Sequence, residues 1–353
     1  MVDVVERSTI IEEEERRAGA PAPQKPLGAL RFTVVVLAIL LLPALIRPSA
    51  RGLLNFDSQL LAEYAAAAPD YVFIGNSMLR SRIDEPVLEA RLGKHCCFVL
   101  WTGGAESAWT HQALENIVLA SPHRPKKVFI FFRDTYLTQP TYRATDRYWW
   151  KIERLSRGSE PDLDRAMASS RTWQEQLEFR LGELYPVQKM RERASGAMSW
   201  LAGALVTPGR VRFGQSAGEK YDGLFDLGRL RSTVADDTAF GEEDLSEFDF
   251  DAHIDSSLVP SMIRMAKQAG VGLVFIRVQR RPSPVGPPAQ RPELAAYVAK
   301  LRVYLARNGV EFHDFTGDPE LTLDHYMDGD HIRADWRPES TLNFLRRLSG
   351  DFE

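Results

Sequence analysis

The sequence predicts an α/β domain, a mostly parallel five-stranded sheet with helices on both faces. Four short apolar runs rich in β-branched and aromatic residues recur along the chain, at 71–74, 96–100, 127–132 and 271–278, and a fifth strand is read at 310–315. Segments of helical composition separate them, as parallel strands require. Small and polar residues gather where the first three runs end, at Gly75-Asn-Ser77, Trp101-Thr-Gly-Gly104 and Arg133-Asp-Thr135. Those are the carboxyl ends of the strands, where open α/β sheets place their ligands.

The chain opens on residues 1–26, polar and carrying the charged run Glu12 to Arg17 followed by Ala-Gly-Ala-Pro-Ala-Pro. Such composition has little apolar surface to bury and predicts a flexible tail. Residues 27–46 are then apolar except for Arg31. A membrane span needs about 20 residues, and an arginine in its first turns can snorkel to the headgroups. Arg16, Arg17, Lys25 and Arg31 precede the segment, against Arg47 and Arg51 after it. The positive-inside rule therefore leaves the tail in the cytoplasm. Residues 52–353 are expected outside, in the periplasm of a cell that has one, on a single-pass inner-membrane anchor. A cleaved signal peptide is the competing reading, but a long acidic tail precedes the segment and Pro48-Ser49-Ala50 is a poor cleavage site.

Within the outer domain, 55–68 reads as a helix leading into the first strand. Gly75 permits a sharp turn after it and leaves Ser77 at the strand end, either as a nucleophile or as part of a helix cap. A helix is expected at 85–92, and another at 108–119 after the glycine pair. From 140 to about 260 the alternation is lost. The span 163–205 has helix-forming composition, with an apolar stripe at Trp173, Leu177, Leu181, Leu184, Met190, Met198 and Leu201, and reads as one or two helices of an insertion between strands three and four, the stripe serving core packing or else lying over the site or on the membrane. Alternation resumes with helices at 257–269, 293–308 and 338–348.

Composition narrows the partners. The chain has 353 residues, 44% hydrophobic and 26% charged, with a formal net charge of -4. No basic, aromatic-laced run is present, so nucleic acid is not an expected partner. The two cysteines are the neighbours Cys96 and Cys97 in an apolar run, which supports neither a disulfide framework nor a thiolate metal site and suggests burial as small hydrophobes.

Chemistry is suggested by Asp324-His-Tyr-Met-Asp-Gly-Asp-His-Ile-Arg-Ala-Asp335, beyond the fifth strand. Asp328 and His331, three apart in a loop before the closing helix, have the spacing at which a carboxylate orients an imidazole. A base so held is what a weakly nucleophilic serine hydroxyl needs. His313, Asp314, Asp324, His325, Asp328, Asp330 and His331 also form a cluster that would suit a divalent metal in phosphoester hydrolysis. No second ligand cluster lies upstream, and no cofactor is expected. Gly214-Gln-Ser-Ala-Gly218 matches a nucleophile-elbow pattern, but neither an apolar strand nor a helix flanks it. Tyr148-Trp149-Trp150 is an aromatic cluster suited to core packing or to stacking on sugar rings.

Ile74-Gly-Asn-Ser77, Gly103-Gly104, the polar group after the third strand and Asp328-x-x-His331 together resemble, in order, the sequence blocks of the SGNH (GDSL-like) hydrolases. The resemblance covers roughly 70–348 with the insertion unmatched, and implies a flavodoxin-like sheet. It implies Ser77 as nucleophile, His331 as base, Asp328 as its orienting acid, and the amides of Ser77 and Gly104 as oxyanion donors. Asn76 and Asp134 are implied at the substrate. Two departures stand out: Gly-Asn-Ser where Gly-Asp-Ser is common, and Phe131-Phe-Arg-Asp134 where Gly-x-Asn-Asp is usual. Loss of that Asn removes an oxyanion donor, about 2.7–4 kcal/mol in comparable sites; Arg133 is either its replacement or a surface or salt-bridged arginine at the strand end. The anchor and these departures resemble membrane-anchored SGNH-like proteins of polysaccharide O-acetylation. The implied substrate is an ester or acylated polysaccharide, and the implied partner a multi-spanning O-acyltransferase. A catalytically idle scaffold that binds glycan or that partner is the rival from another class.

Overall fold

The computed structural model describes residues 56–93, 96–144, 146–169, 173–174, 245–282 and 290–352. Strands β1 (Tyr71–Gly75), β2 (Cys97–Trp101), β3 (Lys127–Phe132), β4 (Gly272–Arg277) and β5 (Glu311–Asp314) form one sheet in the order β2-β1-β3-β4-β5, with every adjacent pair parallel. The predicted strands and the observed ones agree to within one residue at each end. This is the doubly wound order whose direction of winding reverses between β1 and β3, and the crevice outside the strand ends at that switch point is the usual ligand site.

The helices are α1 (Ser58–Ala67), α2 (Ser77–Arg82), α3 (Glu85–Leu92), α4 (Ser107–Ala113), α5 (Asp146–Glu153), α6 (Pro161–Ser169), α7 (Phe250–His253), α8 (Val259–Ala269), α9 (Pro292–Arg307) and α10 (Arg337–Arg347). Successive strand side chains alternate between two cores, as a pleated strand dictates. Val72, Ile74, Val128, Ile130 and Phe275 pack with α4, α8 and α9 through residues such as Trp109, Met262 and Leu301. Phe73, Phe129, Phe131 and Ile276 pack on the other face with Leu79, Leu88 and Phe344 of α2, α3 and α10. The central strands β1, β3 and β4 read as nearly continuous apolar runs because both faces are covered. Phe73 stacks on Phe129 at 5.0 Å between ring centres and meets Phe344 edge-on at 5.9 Å. Truncating such a ring to alanine costs about 3–5 kcal/mol.

Several sequence expectations change. The stretch 76–84 holds α2, six residues long and so less than two turns, too short for a helical period to register. The predicted helix 108–119 is α4 followed by a π-helical turn, Leu114–Val118. The expected loop around Asp328 and His331 is an antiparallel hairpin, β6 (Tyr326–Asp328) and β7 (His331–Ile332), turned by Gly329 and Asp330. Cys96 and Cys97 are half-buried rather than fully enclosed.

The tail 1–26, the span 27–46, most of the stripe from Leu177 to Leu201, and Gly214 to Gly218 lie outside the described residues. Trp173 of that stripe is 71% exposed. Among the described residues no helix is long and apolar enough to cross a membrane. The described parts of the insertion hold α5, α6 and α7.

Candidate active site

The site begins where β1 stops. A Cβ on Gly75 would lie 2.9 Å from Leu79 Cβ and 3.1 Å from Phe131 Cβ. Glycine is therefore needed because α2 packs hard against the sheet; its φ is not positive, so crowding replaces the sharp turn expected from the sequence. Asn76 follows as the extended N-cap of α2, its Oδ1 accepting from Met78 N at 2.9 Å. The cap is thus Asn76, and Ser77 opens the helix with its hydroxyl turned to the hairpin. Ser77 Oγ and His331 Nε2 lie 2.7 Å apart.

The hairpin brings the histidine across 254 positions of sequence. Asp328 stands opposite His331 in the β6–β7 backbone register; its side chain lies outside the described residues. Asp330, in the turn, is held at both ends: its Oδ2 pairs with Arg133 Nη1, and its carbonyl accepts from Arg82 Nη1 at 2.9 Å.

The glycine pair forms the opposite wall. Gly104 has φ +68, and a Cβ there would collide with Tyr148 Cε1, so both conformation and space demand glycine. Lys151 Nζ donates to the Gly103 carbonyl at 2.5 Å. Helix α5, the first of the insertion, is therefore seated on this turn. Glu106 is the N-cap of α4 but makes no capping bond with its side chain. Its Oε1 instead accepts from Asn76 Nδ2 at 3.4 Å and faces Arg143 Nη1 at 3.9 Å. Burial pushes the Glu106 carboxyl up to about 7, against the pull of Arg143 and Arg133.

Arg133 and Asp134 leave β3 together. Arg133 Nη2 donates to Tyr136 Oη at 2.6 Å, so both its terminal nitrogens are engaged, one with Tyr136 and one with Asp330. Asp134, at φ +48 and 3% exposed, is gripped by Arg277 Nη2 at 2.8 Å and Arg280 Nε at 2.5 Å. Its carboxylate is a node in an arginine network at the strand end. Tyr136 stacks on Tyr142 at 4.2 Å, and Arg143 lies over the rings of Tyr142 and Tyr148 at 5.3 and 5.5 Å. Contacts therefore run in a closed circuit from Ser77 through Asn76, Glu106, Arg143, Tyr142, Tyr136, Arg133 and Asp330 to His331. Glu106, Tyr136, Tyr142 and Arg143 were missed by sequence reasoning. Only the nearness of Glu106 to the glycine pair hinted at any of them.

The acidic, histidine-rich cluster is dispersed by the fold. His331 meets Ser77, Asp330 meets Arg133, Asp314 meets Arg277, and the His325 ring accepts from Thr322 N. Glu311, His313 and Asp351 do converge, but the Lys127 ammonium bonds Glu311 at 3.0 Å and Asp351 at 2.8 Å and supplies the positive charge there.

No protein-family model matches the chain, and no curated protein matches it in sequence. Among solved structures, a Bacteroides fragilis protein provisionally classed as an acylhydrolase is similar at a TM-score of 0.37 and 12% identity, over 84% of this chain and 98% of that one. A GDSL-like lipase from Bacteroides thetaiotaomicron is similar at 0.36 and 10%, over 83% and 96%.

Proposed function

We propose that the chain is a membrane-anchored serine esterase or O-acyltransferase acting on acyl groups, acetyl foremost, of an exported polysaccharide. The observation that carries this reading is the 2.7 Å contact between Ser77 Oγ and His331 Nε2 at the switch point of a doubly wound sheet. A serine at a strand end, touching a histidine from a distant hairpin, is the arrangement that makes a hydroxyl nucleophilic.

In this mechanism Ser77 Oγ attacks the ester carbonyl carbon while its proton passes to His331 Nε2. The oxyanion that forms is met by the backbone N–H groups of Ser77 and Gly104. Collapse breaks the bond to the leaving oxygen, which takes the proton from His331, and the acyl group remains on Ser77. A water or sugar hydroxyl then gives its proton to His331 and attacks the acyl carbon, and the proton returns to Ser77 as the product ester or acid departs. Asp328, across the hairpin from His331, orients the imidazole. Arg133 acts through its grip on Asp330; a direct role at the oxyanion would require it to exchange Tyr136 for the substrate oxygen. Asn76 and Asp134 serve as the inner frame on which the substrate rests.

Transfer is favoured over hydrolysis because residues 27–46 would tether the site beside a donor made in the bilayer, with a multi-spanning acyltransferase as partner, and because α5 already covers the Gly103–Gly104 turn. The domain would face the periplasm. The test is to incubate the outer domain with an aryl acetate and surface oligosaccharides of the source cell and to weigh the sugars by mass spectrometry. Acetylated sugar supports transfer. Ester turnover that leaves every sugar unmodified would leave a plain esterase, and no turnover or labelling of any kind would leave the idle scaffold.

A further inference from the structure

Arg82 is an arginine in an unusual place. It ends α2, the helix that Ser77 begins, and is only 5% exposed. Among the described residues no carboxylate pairs with it. Its donors go to main-chain carbonyls instead: Nη1 to Met78 at 3.2 Å and to Asp330 at 2.9 Å, and Nη2 to Gln279 at 2.7 Å. Its guanidinium also lies over the ring of Tyr326 at 5.9 Å.

These contacts are not scattered. Tyr326 is in β6 and Asp330 in the turn, so Arg82 touches the hairpin that carries His331 at two points. Gln279 follows β4 and leads into Arg280, which holds Asp134. Helix α2 therefore meets the hairpin through two of its side chains, Ser77 and Arg82. Ser77 bonds His331, and Arg82, whose Nη1 also reaches back to the Met78 carbonyl of its own helix, bonds the carbonyl of the residue before His331. One hydrogen bond acts as a pivot and leaves rotation possible. A second attachment, made through a guanidinium that is itself tied to Met78 and Gln279, restrains that rotation.

Burying a guanidinium without a counter-charge is costly, and carbonyl dipoles recover only part of the lost hydration. Burial correspondingly lowers the Arg82 pKa. The planar fork is what allows one side chain to reach three separate carbonyls, a task for which lysine, a single flexible point of charge, is ill suited.

We propose that Arg82 is a positioning residue, which holds the β6–β7 hairpin by the Asp330 carbonyl so that His331 Nε2 meets Ser77 Oγ. The proposal rests on the Ser77–His331 reading above, and the two can fail separately.

The experiment compares the wild-type chain, Arg82→Lys, and Phe344→Leu as a purely packing control, for aryl-ester turnover and for the rate of labelling by a serine-directed phosphonate, at matched folded fraction. Arg82→Lys is expected to lower kcat and the labelling rate at least tenfold with KM changed less than about threefold. Phe344→Leu should lower the melting temperature and leave kcat alone. Should Arg82→Lys keep kcat within twofold of wild type, or lose it only in step with stability as the control does, the proposal is overturned. If the lysine variant does not fold, nuclear magnetic resonance of the wild type decides the matter. The clamp requires Arg82 Nη protons that are protected from exchange, and freely exchanging ones would overturn it. Loss of labelling in His331→Ala with no effect of Arg82→Lys would retire this role alone, whereas labelling that survives Ser77→Ala would retire the underlying reading.

Discussion

The Asn76 side chain faces two ways, its Oδ1 capping α2 at Met78 N and its Nδ2 donating to Glu106 Oε1 at 3.4 Å. One amide thus joins the start of the Ser77 helix to a buried carboxyl on the glycine wall. Removing it as Asn76→Ala takes away a cap, worth about 1 kcal/mol, and leaves Glu106 without its donor.

Glu106 makes stability depend on pH. Its carboxyl ordinarily titrates at 4.5 and in the folded chain is pushed up to about 7, first by burial. Between those values the unfolded chain has lost the proton and the folded chain keeps it, so stability falls as pH rises through that window, by about 3 kcal/mol in total. Glu106→Gln cannot ionise and should abolish this share of the slope. Urea unfolding at pH 5 and pH 8 checks it: the wild type should lose more stability than the variant, and equal losses would remove the carboxyl from the account.

Gly104→Ala should be harmful for two separable reasons. The left-handed backbone at φ +68 costs a non-glycine residue about 1–2 kcal/mol, and the added methyl collides with Tyr148. Adding Tyr148→Ala should recover the second part and not the first. Chemical denaturation of the single and double variants measures both, and full recovery in the double variant would mean that backbone conformation is not the constraint.

Arg133 and Asp330 should behave as one unit. Arg133→Ala and Asp330→Ala are each expected to slow ester turnover about tenfold, and the double variant to be no slower than the worse single, because the pair acts through the one turn that carries His331. If Arg133 were instead the missing oxyanion donor, its loss alone would cost about 10²–10³-fold and exceed that of Asp330. The double-variant cycle in kcat separates the two roles.

Sequence and structure agree best where the signal is local and long. The central strands were legible because a strand buried on both faces is apolar at every position, and Lys127–Phe132 is found with the very ends predicted. Ser77 was legible as a candidate from its place after a strand and a glycine, and His331 from its spacing to Asp328 before the closing helix. What could not be read was how far the hairpin reaches, since β7 has two residues and carries no periodicity. Arg82 and Glu106 were hidden for a different reason. A buried arginine on carbonyls and a carboxyl on an asparagine are satisfied only in three dimensions, and in one dimension both look like solvent-facing charges.

The measurement that bears most directly on the central claim is the site of covalent labelling by a serine-directed phosphonate, located by peptide mass spectrometry on the folded chain. The account predicts a single adduct on Ser77, absent in Ser77→Ala, greatly slowed in His331→Ala and unchanged in Ser216→Ala. An adduct on any other serine, or labelling that persists in a folded Ser77→Ala chain, would contradict it.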